Sequence, residues 1–237
     1  MKTVYFTSMD KKYYDHCGKA MLQSFVSKFE HKNIFLYNED NFIPSVKNVE
    51  LQGWNLGQEY LKFIHRWREH KKVVTFAKKG FSIIHAMNNI ECDRLIWLDA
   101  DSIITLPIHD QLIDFISPQD SVSSHFKVEH VKDGKIYTSC ETGFFILNKK
   151  HPDFKKFKDT YTEIYHKDQY ENLRRFYDGE VYGETVMRLE AQGIKTINLN
   201  PGPHKTPISR SVISPYFQHF KAGLKDKISN DFLEDEI

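Results

Sequence analysis

The chain has 237 residues and a mass of 28.0 kDa, and its 33 lysines and arginines against 32 aspartates and glutamates leave a formal net charge of +1. Hydrophobic residues at 40% and charged residues at 27% exclude a disordered or collagenous chain, and the near-neutral balance removes any sequence-independent pull toward nucleic acid. The longest apolar stretches, Leu95–Leu98 and Gly143–Leu147, fall far short of the ~20 residues that cross a bilayer.

Val4–Phe6 is too short for a signal-peptide core. Three cysteines, Cys17, Cys92 and Cys140, without any Cys-x-x-Cys pair indicate neither a disulfide framework nor a cysteine zinc site. The expectation is a reduced, cytoplasmic protein.

In chain order, Thr3–Thr7 reads as a first strand, with Ser8-Met9-Asp10 as the loop after it. Tyr14, Gly18, Met21, Leu22, Phe25 and Phe29 share one face of a helix. Asn33–Tyr37 and Val46–Leu51 read as the next two strands, and Leu56–Trp67 and Val73–Asn88 as two helices, the second carrying Gly80 at some cost in stability. Arg94–Leu98 is a continuous apolar run after one arginine, the pattern of a strand covered on both faces.

Pro107–Ile116 reads as a short helix opened by proline. Ser121–Phe126 and Gly143–Leu147 read as strands, with a hairpin turn at Lys132–Lys135. Phe154–Tyr165 and Glu180–Gln192 are helices by periodicity, the latter capped at Gly193, and Ile194–Leu199 is a late strand. Pro201, Pro203, Pro207 and Pro215 predict an irregular surface loop over 200–218. The alternation of strand and helix predicts one α/β domain, a mostly parallel doubly wound sheet in its first half and a smaller mixed second half. Ligands of such sheets bind at the carboxyl ends of the strands, here Thr7–Asp10, Asn38–Asp40 and Asp99–Ser102.

Asp99 and Asp101 stand at such an end. Two carboxylates on low-dielectric ground are costly unless a positive charge compensates them. A divalent cation does so, and hard oxygen ligands suit Mg²⁺ or Mn²⁺, which then carries phosphate oxygens on its remaining positions. His219 is a candidate further ligand through its imidazole, and Lys225 a candidate phosphate partner.

Arg94–Asp101 resembles the strand and Asp-x-Asp motif of glycosyltransferases with the GT-A fold. His219…Lys225 resembles the His-x-x-Gly-x-x-Lys motif of the retaining family 8 glycosyltransferases, with Gly223 one place later than in that motif, and Glu141–Asn148 resembles their Asn-Ser-Gly…Asn strand. The resemblance implies that Asp99, Asp101 and His219 bind Mn²⁺ or Mg²⁺, and that Lys225 contacts the donor diphosphate. Thr7, Ser8 and Lys79 (or its neighbour Lys78) fall where the donor nucleotide is held. Glu141 and Thr142 would face the donor sugar or the acceptor. Residues 1–102 would form the nucleotide-binding half, 103–227 the half that completes the acceptor and metal sites, and 228–237 a loose tail.

The implied reaction moves a hexose from a nucleotide diphosphate sugar, a UDP-hexose, to the hydroxyl of a glycan or other acceptor. Glu141, Asp178 and Glu184 are candidates for the carboxylate that assists the oxocarbenium-like donor carbon. The loop Asn200–Pro215, with His204, Lys205 or Arg210, could close over the donor. Three rivals compete. A haloacid-dehalogenase-type phosphatase also begins with an apolar strand and Asp-x-Asp but needs a downstream acidic pair, for which Gly179-Glu180 and Gly183-Glu184 are poor matches. A nucleotidyltransferase needs a glycine-rich loop after the first strand, where Met9-Asp10-Lys11-Lys12 stands. A non-catalytic sugar-nucleotide-binding protein needs only the fold.

Overall fold

The structure is a computed structural model that describes residues 1–29, 31–132, 134–167, 169–202 and 206–220. Within them lie nine strands: β1 (Thr3–Met9), β2 (Ile34–Asn38), β3 (Val49–Gln52), β4 (Arg94–Leu98), β5 (Ser102–Ile104), β6 (Ser123–Lys132), β7 (Lys135–Asn148), β8 (Ile197–Asn198) and β9 (Phe217–His219). The six principal helices are α1 (Lys19–Lys28), α2 (Gly57–Trp67), α3 (Lys71–Asn89), α4 (Asp110–Ile116), α5 (Phe154–His166) and α6 (Asp178–Glu190). Seven strands form one sheet in the order β3-β2-β1-β4-β7-β6-β8. The β3-β2-β1-β4 side and the β6–β8 edge pair in parallel, while β7 runs antiparallel to both β4 and β6. This is the expected parallel first half joined to a mixed second half.

Strand periodicity divides the core. In β4, Leu95 and Trp97 face α2, α3, α5 and α6, while Ile96 and Leu98 face α1 and α4. All five β4 residues are buried, as the uninterrupted apolar run requires. The arginine that opens it is buried too, and its guanidinium is satisfied by Asp114 at 2.5 Å, Asn148 Oδ1 at 3.0 Å and the Ser117 carbonyl at 2.9 Å. Buried charge is tolerated because each of the three guanidinium nitrogens donates to an acceptor and one acceptor is a carboxylate.

Three differences from the sequence reading matter for the site. The predicted first helix begins as a π-helical turn, Tyr14–Gly18, after Asp10 has accepted a hydrogen bond from the Tyr13 amide at 2.7 Å. The β6–β7 hairpin is longer than its apolar stretches, paired out to Lys132 and Lys135 around Gly134 at φ 71°. The stretch expected to be irregular contains β9, which pairs antiparallel with β5 in a separate two-stranded sheet, Ser102 opposite His219 and Ile104 opposite Phe217. Both strands are three residues long, too short to show a period. Lys225, the tail 228–237, His204 and Lys205 lie outside the described residues.

Glycine sets the approach of helices to one another and to the sheet. A Cβ on Gly80 would lie 2.1 Å from the Tyr165 hydroxyl, so the glycine in α3 is where α5 makes its close contact. On α6, a Cβ on Gly179 would meet the Cys140 carbonyl at 2.3 Å, and one on Gly183 the Ser139 Cα at 2.7 Å. Two glycines one helical turn apart thus let α6 lie directly on the β7 backbone, which carries Asp178 to the sheet's carboxyl edge. Gly193 caps the far end at φ 76°, as expected.

Candidate functional site

A cleft of about 510 Å³ opens at the carboxyl ends of β1 and β4, between α3, the amino end of α6, and β7. Six carboxylates line it, Asp10, Glu39, Asp99, Asp101, Glu141 and Asp178, against the two lysines Lys78 and Lys79 and the imidazole of His219. A cleft so charged attracts cations and, without one, repels a diphosphate.

Asp99 and Asp101 point to the same place. The Asp99 amide donates to the Gly143 carbonyl at 2.9 Å, which extends the β4–β7 pairing one residue beyond the strand. One oxygen of Asp99, Oδ1, accepts hydrogen bonds from Lys79 Nζ and from the Trp97 indole, both at 2.6 Å. Its Oδ2 lies 3.5 Å from His219 Nε2. In Asp101, Oδ2 accepts from the Tyr13 hydroxyl at 3.0 Å and Oδ1 lies 3.1 Å from the same His219 nitrogen. Each carboxylate therefore has one oxygen fixed by donors and the other turned toward His219. Asp99, Asp101 and His219 can each offer a ligand atom within 4.8 Å of the others, a set that fits one divalent ion.

The second small sheet brings His219 there. Pairing of β9 with β5 puts His219 opposite Ser102, and the Phe220 amide donates to the Asp101 carbonyl at 2.8 Å. Ser102 Oγ closes the turn onto the Asp99 carbonyl. Behind the ring stands Gly143, whose Cβ would fall 2.6 Å from His219 Nδ1, so glycine is needed where the imidazole seats. The same Nδ1 faces Glu141 Oε1 at 3.4 Å.

The charges are tuned by contact. Burial alone would push the His219 imidazole down, but hydrogen bonds to Asp101 and Asp99 and their charges outweigh it and hold it up at about 9. Burial would raise Asp99, yet the Lys79 charge and His219 hold its carboxyl well below the usual range. Lys79 is desolvated but stays a cation, raised by Asp178 and Asp99. Burial, followed by the Asp101 charge, drives the Tyr13 phenol far up, so it remains a donor.

Lys79 joins the two halves of the site. Besides Asp99 it reaches Asp178 Oδ2 at 2.9 Å and the Thr142 carbonyl at 2.8 Å, and Thr142 Oγ1 donates to the same Asp178 oxygen. The sequence candidates Ser8, Lys79, Asp99, Asp101, Glu141, Thr142, Asp178 and His219 thus share one cleft. Three do not reach it. Thr7 is wholly buried and shares the opposite strand face with Tyr5, since neighbours along a strand alternate. Glu184 lies further along α6 and pairs with Arg188 at 2.7 Å. Arg210, on a short 3-10 turn, does not line the cleft either.

Sequence reasoning missed Tyr13 and Trp97. Glu39, inside the strand end Asn38–Asp40 that the sequence marks for ligand binding, lines the cleft and pairs with Lys78 at 2.7 Å. The Gly179-x-x-x-Gly183 spacing was a signal that α6 lies close to the sheet and that its first residue, Asp178, is the one delivered.

No protein-family model and no curated protein matches the chain. Solved structures do. The galactosyltransferase LgtC, in complex with donor and acceptor sugar analogs, superposes with a TM-score of 0.54 at 14% identity, covering 97% of this chain and 94% of its own. Mouse xyloside xylosyltransferase 1 gives 0.54 at 12% identity, covering 84% and 86%. The bifunctional glycosyltransferase WbbM gives 0.53 at 12% identity over 84% of this chain, which spans only 39% of WbbM. The fold is that of GT-A glycosyltransferases. The phosphatase and nucleotidyltransferase readings gain nothing from these matches. Among the described residues, Asp99, Asp101 and His219 form the only group of three or more such side chains close enough together to hold a metal. No helix of the described residues is long and apolar enough to cross a membrane.

Proposed function

We propose that the protein is a metal-dependent glycosyltransferase that moves a hexose from a UDP-sugar to an acceptor hydroxyl with retention of configuration. The observation that carries the reading is the convergence of Asp99 Oδ2, Asp101 Oδ1 and His219 Nε2, at the carboxyl edge of a GT-A sheet. Two carboxylates and an imidazole suit Mn²⁺ or Mg²⁺. Such an ion, when bound, neutralises the diphosphate and stabilises the charge that grows on it as it departs.

The remaining steps belong to the chain. Ser8 and the Glu39–Lys78 pair border the nucleotide side of the cleft, and residues 1–102 make up the nucleotide-binding half. The half from 103 to 227 supplies His219 and Lys225, the latter as a point charge on phosphate. Lys79 holds Asp99 in place and at the same time fixes Asp178, so a carboxylate stands ready beside the donor sugar. Asp178 and Glu141 are the groups placed to stabilise positive charge at the donor carbon. In the transfer, the bond from that carbon to the diphosphate oxygen breaks with its electron pair leaving on the phosphate. The acceptor oxygen bonds to the same carbon on the same face, and its proton passes to the departing phosphate oxygen, so no separate base is needed.

Isothermal titration with UDP tests the reading: binding requires Mn²⁺ or Mg²⁺, and equal affinity with and without metal refutes the Asp99–Asp101 role. Asp101→Ala should leave a folded protein without metal-dependent release of UDP from UDP-glucose or UDP-galactose. A wild-type protein that binds Mn²⁺ and UDP yet turns over no donor with any acceptor offered is a binding protein.

A further inference from the structure

Next to the metal cleft lies a second groove of about 930 Å³. Thr75, Phe76 and Tyr177 line both, so the two are continuous. The groove differs from its neighbour in its charge. Two aromatic side chains in its walls are partly open to solvent, Phe76 at 37% and Phe176 at 38% exposure, the Phe176 ring backed by Tyr170. Its charge is opposite: Lys71, Lys72 and Arg175 are exposed and carry no ion pair among the described residues, and the single acidic lining residue, Glu69, is engaged by Arg68 at 3.3 Å.

The arrangement works against the stability of the helix that bears it. Lys71 and Lys72 open α3, a first turn with no acidic residue and no side-chain cap. Cations at a helix amino end face the positive pole of the backbone dipole and cost stability unless an anion offsets them. Open aromatic faces bind the apolar face of a sugar ring, and a forked guanidinium with two ammonium groups matches a dianion better than a singly charged carboxylate.

We propose that this groove is the acceptor subsite and that the acceptor is a saccharide carrying a phosphomonoester, its ring against Phe76 and Phe176 and its phosphate among Lys71, Lys72 and Arg175. The proposal rests on the sugar-transfer reading above and adds to it the chemical class of the acceptor. The division of charge follows: the metal side takes the donor diphosphate through a cation, and the basic groove takes the acceptor's anion directly.

The test uses ¹⁵N-labelled protein saturated with Mg²⁺ and UDP, so that the donor cleft is filled, and titrates it with glucose 6-phosphate, glucuronate and glucose. Glucose 6-phosphate should shift the amides of Lys71, Lys72, Arg175 and Phe176 and bind at least ten-fold more tightly than glucose, with glucuronate between them. The exposed double substitution Lys72→Glu with Arg175→Glu should abolish that preference, and its spectrum reports directly that it is folded. Equal affinity for glucose and glucose 6-phosphate, or shifts confined to other residues, overturns the proposal. Glucuronate binding as tightly as glucose 6-phosphate overturns the choice of phosphate. Failure of Mg²⁺ and UDP to bind at all defeats the transferase reading and the acceptor role with it, whereas their binding without a phosphate preference defeats the acceptor proposal alone.

Discussion

His219 Nε2 lies 3.1 Å from Asp101 Oδ1, although the two residues are 118 positions apart in the chain. The link is made by the pairing of β5 with β9, extended by the Phe220 amide on the Asp101 carbonyl. Ile104 and Phe217 anchor the two short strands in the core, so the metal site hangs on a short pairing that is itself packed from behind. His219→Ala should leave a folded protein, because the β9 backbone pairing persists, but with lower metal-free stability at neutral pH, because two carboxylates lose the imidazolium between them. Metal-supported UDP affinity should fall at least ten-fold. A titration in which Mn²⁺ enhances UDP binding equally in the variant and the wild type would remove His219 from the ligand set.

The protonation of that imidazole predicts a pH dependence. Raised from 6.5 to about 9 by its two aspartate neighbours, His219 is charged in the metal-free protein at neutral pH. Its contribution to metal-free stability is complete below pH 6.5 and is lost as pH rises through about 9. Asp99, whose pKa is lowered, behaves oppositely: its contribution is present above the ordinary carboxylate range and fades only in strong acid. A metal must displace the His219 proton, so Mn²⁺ affinity should tighten about ten-fold per pH unit between pH 7 and 9, with release of about one proton on binding. Titrations in buffers of differing ionisation enthalpy count that proton, and a pH-independent affinity over this range contradicts the prediction.

Much of this architecture is legible in the amino-acid sequence. The run Arg94–Leu98 announced a strand covered on both faces, and spacings of three and four residues located the main helices because each buries one stripe against the sheet. What stayed hidden was short or non-local. β5 and β9 are too brief for a period, so the sequence predicts irregular chain over 200–218, up to the residue before His219. Tyr13 and Trp97 look like core aromatics; only the fold shows that a hydroxyl and an indole nitrogen each hold one carboxylate oxygen. Thr7 and Ser8 are adjacent in sequence but face opposite sides of β1, and Asp178 and Glu184 share a helix of which only the first turn meets the cleft. In each pair, residue type suggested the site and orientation decided it.

Lys79 is the cation on which the site's electrostatics rest. It is nearly enclosed, with its side chain 13% exposed, and it binds Asp99 and Asp178 together. Lys79→Met leaves two carboxylates near one another without their partner, and loss of one member of such a buried cluster costs about 3–5 kcal/mol. The expected result is a large drop in melting temperature in the absence of metal, partly restored by Mn²⁺ with UDP. Asp178→Asn keeps the Thr142 and Lys79 contacts in neutral form and should be far milder in stability, while donor turnover falls by 10² or more if the carboxylate assists the donor carbon. Chemical denaturation and release of UDP, measured on the same preparations, separate the two outcomes.

Two glycines permit a comparison of packing with function. A Cβ on Gly80 would strike the Tyr165 hydroxyl at 2.1 Å, between α3 and α5, while one on Gly143 would strike His219 Nδ1 at 2.6 Å, inside the cleft. Overpacking of this kind costs about 1–3 kcal/mol, so both Gly80→Ala and Gly143→Ala should lower the melting temperature by several degrees. They should part in binding. The Tyr165 ring can shift only by disturbing the aromatic cluster around Phe63 and Phe81, which does not include His219. Gly80→Ala should therefore keep metal-dependent UDP affinity within about two-fold of wild type. Gly143→Ala pushes the imidazole off its seat between Asp101 and Glu141 and should weaken that affinity at least ten-fold. Equal losses of UDP affinity in the two variants would mean that His219 has no fixed position to lose, and that the contact between β7 and the imidazole does not set the geometry of the site.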